Sequence, residues 1–149
     1  PYEKLEANLR RNGFQDYLRK NKFKINWESE GDYSFKSGEK AFRVINKKNK
    51  RNIGIFSSND QMALGFLHAA LEKGLNIPGD YGIVGYDNMP YSKVFYPKLS
   101  TIGTDLDLLA QNTLNFIVQK IKTPDNKTIN PTTTLLPVEL IKRRTHLND

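Results

Sequence analysis

Three polar clusters stand at the ends of apolar runs in this 149-residue sequence: Gly31-Asp32-Tyr33, Asn59-Asp60-Gln61 and Tyr86-Asp87-Asn88. Together with Arg10 they offer carboxylates, side-chain amides, a guanidinium and an aromatic ring. Asp and Asn exchange hydrogen bonds with vicinal hydroxyls, Arg donates in a fixed fork, and a ring covers apolar C–H faces. That chemistry suits a polyhydroxylated ligand, sugar-like or nucleoside-like. Each residue also has a plainer use. Ser58 or Asn59 can cap a helix, and Asp60 suits the positive end of a helix dipole, so this cluster reads equally as a cap or as a binding site. Asp87 follows a strand and precedes no clear helix; capping does not account for it, though an Asx turn would. Taken alone, Tyr33 is either a surface ring or a stacking platform, and Arg10 is a solvated arginine.

No catalytic centre competes with binding. His68 falls in the middle of a helix and His146 in what reads as a frayed tail, so neither forms a dyad with an obvious serine. The sequence contains no GxSxG elbow, GxGxxG loop, phosphate loop or HExxH pair. With no cysteine it has no disulfide, thiolate nucleophile or thiolate metal site. No catalytic residue, metal or cofactor is expected.

The elements that must position the clusters follow from periodicity. Leu5, Leu9, Phe14 and Leu18 space out an amphipathic helix over about residues 3–20. A short extended segment, 23–28, precedes a second helix with Phe35, Gly38, Phe42 and Ile45 on one face. "NIGIFSS" reads as a buried strand, and a third helix runs from Met62 to Lys73 with Gly74 as its C-cap. Tyr81 to Tyr86 is a second buried strand, and "PYSKVFYP" is an irregular aromatic segment. "LSTIGT" is a further strand. Thr104 can cap a helix over 105–122 whose Leu106, Leu109, Thr113, Ile117 and Ile121 face inward. "TTTLLPVELIKRR" is a last extended segment broken by Pro137. Strands alternating with helices imply a doubly wound parallel α/β sheet with right-handed crossovers, three layers deep. In such a sheet, ligands bind at the carboxyl ends of the strands, where the three clusters lie.

Bulk composition narrows the class further. At 38% hydrophobic and 26% charged residues, the chain suits one soluble α/β domain. No apolar run approaches the ~20 residues that cross a bilayer, and "PYEKLEANLRRNGF" has no apolar signal core, so a cytoplasmic protein without a membrane partner is expected. The net charge of +7 invites a nucleic-acid reading. Yet its short clusters, Lys47-Lys48, Lys50-Arg51 and Lys142-Arg143-Arg144, are not interleaved with aromatics, and no helix-turn-helix signature appears. A solvated lysine-rich surface is the better reading.

The blocks "SSNDQMALGFLHAALEKGLNIPGDYGIVGYDN", "YPKLSTI" and "LLPVELIKRR", preceded by "RRNGFQDYL" and "GDYSFKSGEKAF", resemble the effector-binding domain of the LacI/GalR transcriptional repressors, a class I periplasmic-binding-protein-like fold. The resemblance covers essentially the whole chain. It implies effector contacts at Arg10, at Tyr33 where sugar-responsive members often carry tryptophan, at Asn59 with Gln61 behind it, and at Asp87. It also implies a homodimer, with Leu64, Leu67, Val94 and Phe95 as interface candidates. The exposed apolar segment "PYSKVFYP" otherwise has no evident reason. By the same resemblance, residues 1–103 form the C-terminal subdomain. Residues 104–137 supply a helix and a strand (132–136) that would complete an absent N-terminal subdomain, and 138–149 form a return segment and tail. DNA would be contacted only through a helix-turn-helix head outside these residues, so the chain reads as a truncated piece of a repressor. The expected function is sensing a sugar-like effector in an inter-subdomain cleft; a phosphorylated partner protein is a variant signal. The alternative is a solute-binding protein serving sugar transport, against which "LLPVELIKRR" weighs.

Overall fold

The computed structural model describes residues 4–47, 52–122 and 134–146. Helix α1 (Leu5–Lys20) opens the chain, with Arg19 and Lys20 on the negative end of its dipole. Its expected apolar stripe is mostly unburied: only Ala7 is enclosed, while Leu5 and Leu9 are exposed. Phe14 is tied down by stacking on Phe56 with ring centroids 4.9 Å apart. The segment that follows, 23–34, runs without joining the sheet, though Trp27 packs on the core.

Helix α2 (Phe35–Asn46) starts at Ser34, whose side chain accepts from the Ser37 N–H, and buries Gly38, Phe42 and Ile45, the spacing expected of its apolar face. Strand β1 (Ile53–Phe56) leads to α3 (Asp60–Glu72), then β2 (Tyr81–Tyr86), a short 3-10 turn (Pro90–Lys93), β3 (Ser100–Gly103), α4 (Leu106–Lys122) and β4 (Glu139–Ile141). The sheet order is β1-β2-β3-β4. β1 pairs with β2 in parallel (Ile53 with Tyr81), and so does β2 with β3 (Val84 with Ser100). β4 lies antiparallel to β3, with Thr101 opposite Ile141, so the expected doubly wound parallel sheet carries one antiparallel strand at its edge.

Helices α2 and α3 cross at glycines. A Cβ on Gly38 would sit 2.0 Å from the Met62 carbonyl oxygen, and one on Gly65 would sit 1.9 Å from that of Phe35. Only hydrogen fits between the two backbones at both points. This close approach seats Phe42, Phe66 and Tyr81 edge-to-face, with centroids 5.4–6.2 Å apart. Such pairs add about 0.5–1.5 kcal/mol each beyond area burial.

Several expectations fail here, each for a physical reason. Leu64 and Leu67 are 4% and 0% exposed inside this core, so they are not available to a partner; Phe95 packs partly against the same core, and Val94 alone of the four stands free at 81%. Helix α4 does not face inward: it has no buried residue, and Leu106, Leu109, Ile117 and Ile121 are all exposed. Its cap is Asp105, whose carboxylate accepts from the N–H groups of Asp107 and Leu108, while Thr104 donates to the Pro137 carbonyl instead. The strand expected at 132–136 falls partly outside the described residues, and 134–138 is not strand; the ladder begins at Glu139.

Nor is the tail frayed as far as His146. Thr145 is fully buried, donating to the Ile83 carbonyl and accepting from the Ser100 N–H, and His146 Nδ1 lies 3.0 Å from Ser100 Oγ. Arg143, read as part of a solvated basic cluster, is bound on three sides within the domain. Among the described residues no helix is long and apolar enough to cross a membrane.

Candidate functional site

Arg10, Tyr33, Asn59 and Asp87, which are spread over 77 positions of sequence, line one cleft of about 300 Å³ with Lys4 and Glu6. They come together because β1 and β2 are adjacent and parallel. The chain leaving each strand at its carboxyl end, at Asn59 and at Asp87, therefore emerges on the same edge. Gln61 is exposed and lies outside the lining.

Arg10 is the organising cation. Its Nη1 donates to the Ser58 carbonyl at 2.8 Å, its Nη2 lies 3.2 Å from Asp87 Oδ1, and its guanidinium sits 4.0 Å from the centre of the Tyr86 ring. A planar fork stacked on a ring keeps its orientation, which a flexible lysine would not. Asp87 is held at φ +105° and Asn88 at φ +53°, two consecutive non-glycine residues in the left-handed region. Strain of this kind costs about 1–3 kcal/mol per residue and persists only where surrounding bonds over-determine it. Burial raises the Asp87 carboxyl above its ordinary value, with Arg10 opposing that rise.

Asn59 settles how the polar seam before α3 is used locally. Its Oδ1 accepts from the Met62 N–H at 2.9 Å as the N-cap, and its Nδ2 donates to the Tyr33 carbonyl at 3.0 Å. The cap reading is therefore correct. The second bond also pins the Tyr33 backbone, at φ +67°, against the cleft. The Tyr33 hydroxyl is buried without a hydrogen-bond partner, and Lys4 Nζ lies 5.4 Å from the centre of its ring. Burial raises the Tyr33 phenol above its ordinary value. A buried hydroxyl lacking a partner is costly and can donate to or accept from an incoming polar group.

Two features escaped the sequence reading. Lys4 and Glu6 line the cleft from the start of α1; Glu6 stands four residues before Arg10, and that i, i+4 spacing is a signal that places them on one face. Asp60 was read as a dipole partner, yet it is fully buried. Its Oδ1 accepts from the Thr101 hydroxyl at 2.5 Å and its Oδ2 from the Met89 N–H at 2.8 Å. A Cβ on Gly85 would fall 2.3 Å from Asp60 Oδ1, so the glycine makes room for the carboxylate. Asp60 joins α3 to β3 and to the loop that carries Asp87. No local sequence pattern announces that connection.

A second hollow of about 450 Å³ lies between residues 29–32 and α2. Of its two lining carboxylates, Glu30 and Asp32, the second is already committed to the N–H and hydroxyl of Ser34, which hold it well below the usual carboxylate range. No group of three or more potential metal-ligating side chains occurs among the described residues.

A mostly parallel α/β sheet with a guanidinium, an amide, a carboxylate and a ring gathered beyond its strand ends defines a class, the periplasmic-binding-protein-like α/β domain. The chain belongs to the periplasmic binding protein-like domain family, which it matches over residues 2–146. It is 35% identical over 147 residues to the lactose operon repressor of Escherichia coli (strain K12), spanning 99% of this chain and 40% of the repressor. The structure of the lac repressor dimer bound to operator and the anti-inducer ONPF superposes with a TM-score of 0.85 at 34% identity, covering 99% of this chain and 50% of that one. A LacI family transcriptional regulator from Enterococcus faecium with bound ribose gives a TM-score of 0.81 at 26% identity, covering 94% and 51%. The region is therefore homologous to the effector-binding part of LacI-family repressors, and the chain spans about 40% of the length of the curated relative it matches.

Proposed function

We propose that this chain is the effector-sensing portion of a LacI-type transcriptional regulator and that its cleft binds a sugar-like, polyhydroxylated molecule. The observation that carries the reading is the convergence of Arg10, Tyr33, Asn59 and Asp87 on one cleft. A fixed guanidinium and a carboxylate 3.2 Å apart offer paired donors and acceptors for vicinal hydroxyls, and Tyr33 supplies both a ring and an unpaired hydroxyl. The chemistry asked of the site is recognition alone. The lac repressor captured with operator and anti-inducer, and the E. faecium regulator captured with ribose, lend the reading its ligand class and its output.

In the regulator, the effector would act by binding one arrangement of the protein more tightly than another, shifting DNA binding by that difference in affinity. The exposed apolar face of α4 fits this reading: it is the surface a second subdomain would cover. Val94, exposed beside the partly buried Phe95, is the remaining candidate for a contact with a second copy.

The test is a titration of the isotope-labelled chain with pentoses, hexoses, sugar phosphates and nucleosides, followed by nuclear magnetic resonance. Saturable shifts at Arg10, Tyr33, Asn59 and Asp87, lost in Asp87→Ala, are expected. Shifts clustered away from these four residues would assign the binding elsewhere. A silent spectrum across the whole set would count against this cleft binding a sugar-like molecule on its own residues.

A further inference from the structure

We infer that Arg143, on the return segment after β4, is a positioning residue for the Asp87 side of the cleft; the inference rests on the site reading above. The turn Asp87-Asn88 is held in the left-handed region at two successive residues, neither of them glycine. Asn and Asp enter that region more readily than other non-glycine residues, yet two in succession, the first at φ +105°, call for restraint from outside the turn. The backbone accounts for part of the restraint: the Asp87 N–H donates to the Ile102 carbonyl at 2.8 Å, the Asn88 N–H to Thr101 Oγ1 at 3.3 Å and the Met89 N–H to Asp60 Oδ2 at 2.8 Å. The remaining handle is the Asn88 side chain, and Arg143 Nη2 donates to its Oδ1 at 2.6 Å.

Arg143 can hold that side chain because it is itself fixed. Its Nη1 donates to Ser92 Oγ at 2.9 Å and to the Leu99 carbonyl at 2.6 Å, and its own N–H donates to Ser100 Oγ at 2.8 Å. One guanidinium thus reaches the start, middle and end of the β2–β3 connection, a task that needs a planar fork and that an ammonium cannot reproduce. On the opposite side, Asn88 is walled in by Gly103, where an added Cβ would fall 2.4 Å from the Asn88 Cβ. Asn88 is thus bonded by Arg143 and packed close against β3. That leaves the preceding carboxylate, Asp87, aimed at Arg10 across the cleft. A residue 56 positions downstream in the chain and outside the cleft lining thereby sets the geometry of the residue that faces the ligand.

The experiment reads the turn without any ligand, so its failure is distinguishable from failure of the functional reading. Three-bond HN–Hα couplings and Cα shifts of Asp87 and Asn88 would be measured in the wild-type chain, in Arg143→Lys and in Asn88→Ala, with Arg144→Lys as the control. The Arg10 guanidinium proton signals would report the Arg10–Asp87 pair. Both test variants should move residues 87 and 88 out of the left-handed region and weaken the Arg10 signal, and the control should do neither. Asn88→Ala retains the Arg143 bonds to Ser92 and Leu99, so it keeps the fold while removing the handle. Alanine is itself disfavoured at positive φ, so the decision rests on Arg143: if Arg143→Lys keeps wild-type couplings, whatever Asn88→Ala does and whether or not the unfolding temperature drops, Arg143 is a staple of the β2–β3 connection only and the inference is overturned.

Discussion

At the scale of single residues, the site is a set of polar groups with two employments each. Asn59 caps α3 and pins Tyr33, so Asn59→Ala should cost about 1 kcal/mol of stability as a lost cap. It should also release the Tyr33 backbone, which urea denaturation and the Tyr33 amide shift would report together. Asp60 has no solvent contact and serves two donors. Asp60→Ala strands the Met89 N–H, at about 1–3 kcal/mol for a group left unpaired, and takes from the Thr101 hydroxyl its shortest bond, leaving it the Ile102 carbonyl and the Asn88 N–H. Burial raises the Asp60 carboxyl above its ordinary value of 3.8, with the bonds from Thr101 and Met89 opposing that rise. Between the ordinary and the raised value the folded state binds more protons than the unfolded state, so this residue's contribution falls as pH rises through that window. The stability difference between wild type and Asp60→Asn should therefore shrink from pH ~4 upward, read by thermal unfolding at a series of pH values. A difference that grows with pH would mean the ionised carboxylate is the preferred folded form.

At the scale of elements, the α2–α3 crossing is the part of the fold most sensitive to a single methyl group. Helix propensity alone favours alanine over glycine by about 1 kcal/mol. At Gly38 and Gly65 the sign reverses, because the atom met is a backbone carbonyl about 2 Å away that cannot rotate aside. Gly38→Ala and Gly65→Ala should each destabilise by about 1–3 kcal/mol or more, as judged from denaturant midpoints. Gly54 is the contrast: nothing lies within 4 Å of an added Cβ, so Gly54→Ala should be neutral or slightly stabilising. The face Phe35, Gly38, Phe42, Ile45 was legible at helical spacing, and the run Tyr81–Tyr86 as a strand. The antiparallel β4 was not, since strand direction is set by pairing with β3 and not by the alternation of side chains.

At the scale of the whole molecule, the domain is a mixed sheet with a core on one helical pair, and two further helices, α1 and α4, are each left largely outside that core. Leu114, Ile117 and Ile121 are 61%, 46% and 72% exposed, against 0% for Leu67. Replacing Ile121 and Leu114 by Glu should thus change the unfolding free energy by no more than about 0.5 kcal/mol. Leu67→Ala should cost about 2–5 kcal/mol. A large loss from the α4 substitutions, measured by calorimetry, would show that the helix packs on this domain in solution. The apolar stripe of α4 looks identical to a core-facing one in sequence, because periodicity records that a face is meant to be covered and not by what.

The sequence by itself determined the order of elements, the apolar face of α2, the buried strands, and the chemistry available at the strand ends. These follow from local rules, in which a period of 3.6 or 2 and a polar seam are readable without knowing any neighbour. Resemblance to known repressors named five residues, of which the structure gathers Arg10, Tyr33, Asn59 and Asp87 on one cleft and leaves Gln61 outside it. Only the tertiary structure decided that Leu64 and Leu67 belong to this chain's own core, that Asp60 is buried beneath the Met89 loop, and that Arg143 reaches back to Asn88. Those outcomes depend on which surfaces meet between elements separated by up to 55 residues of sequence, where no periodic pattern carries the information and glycines at the crossings set the distances.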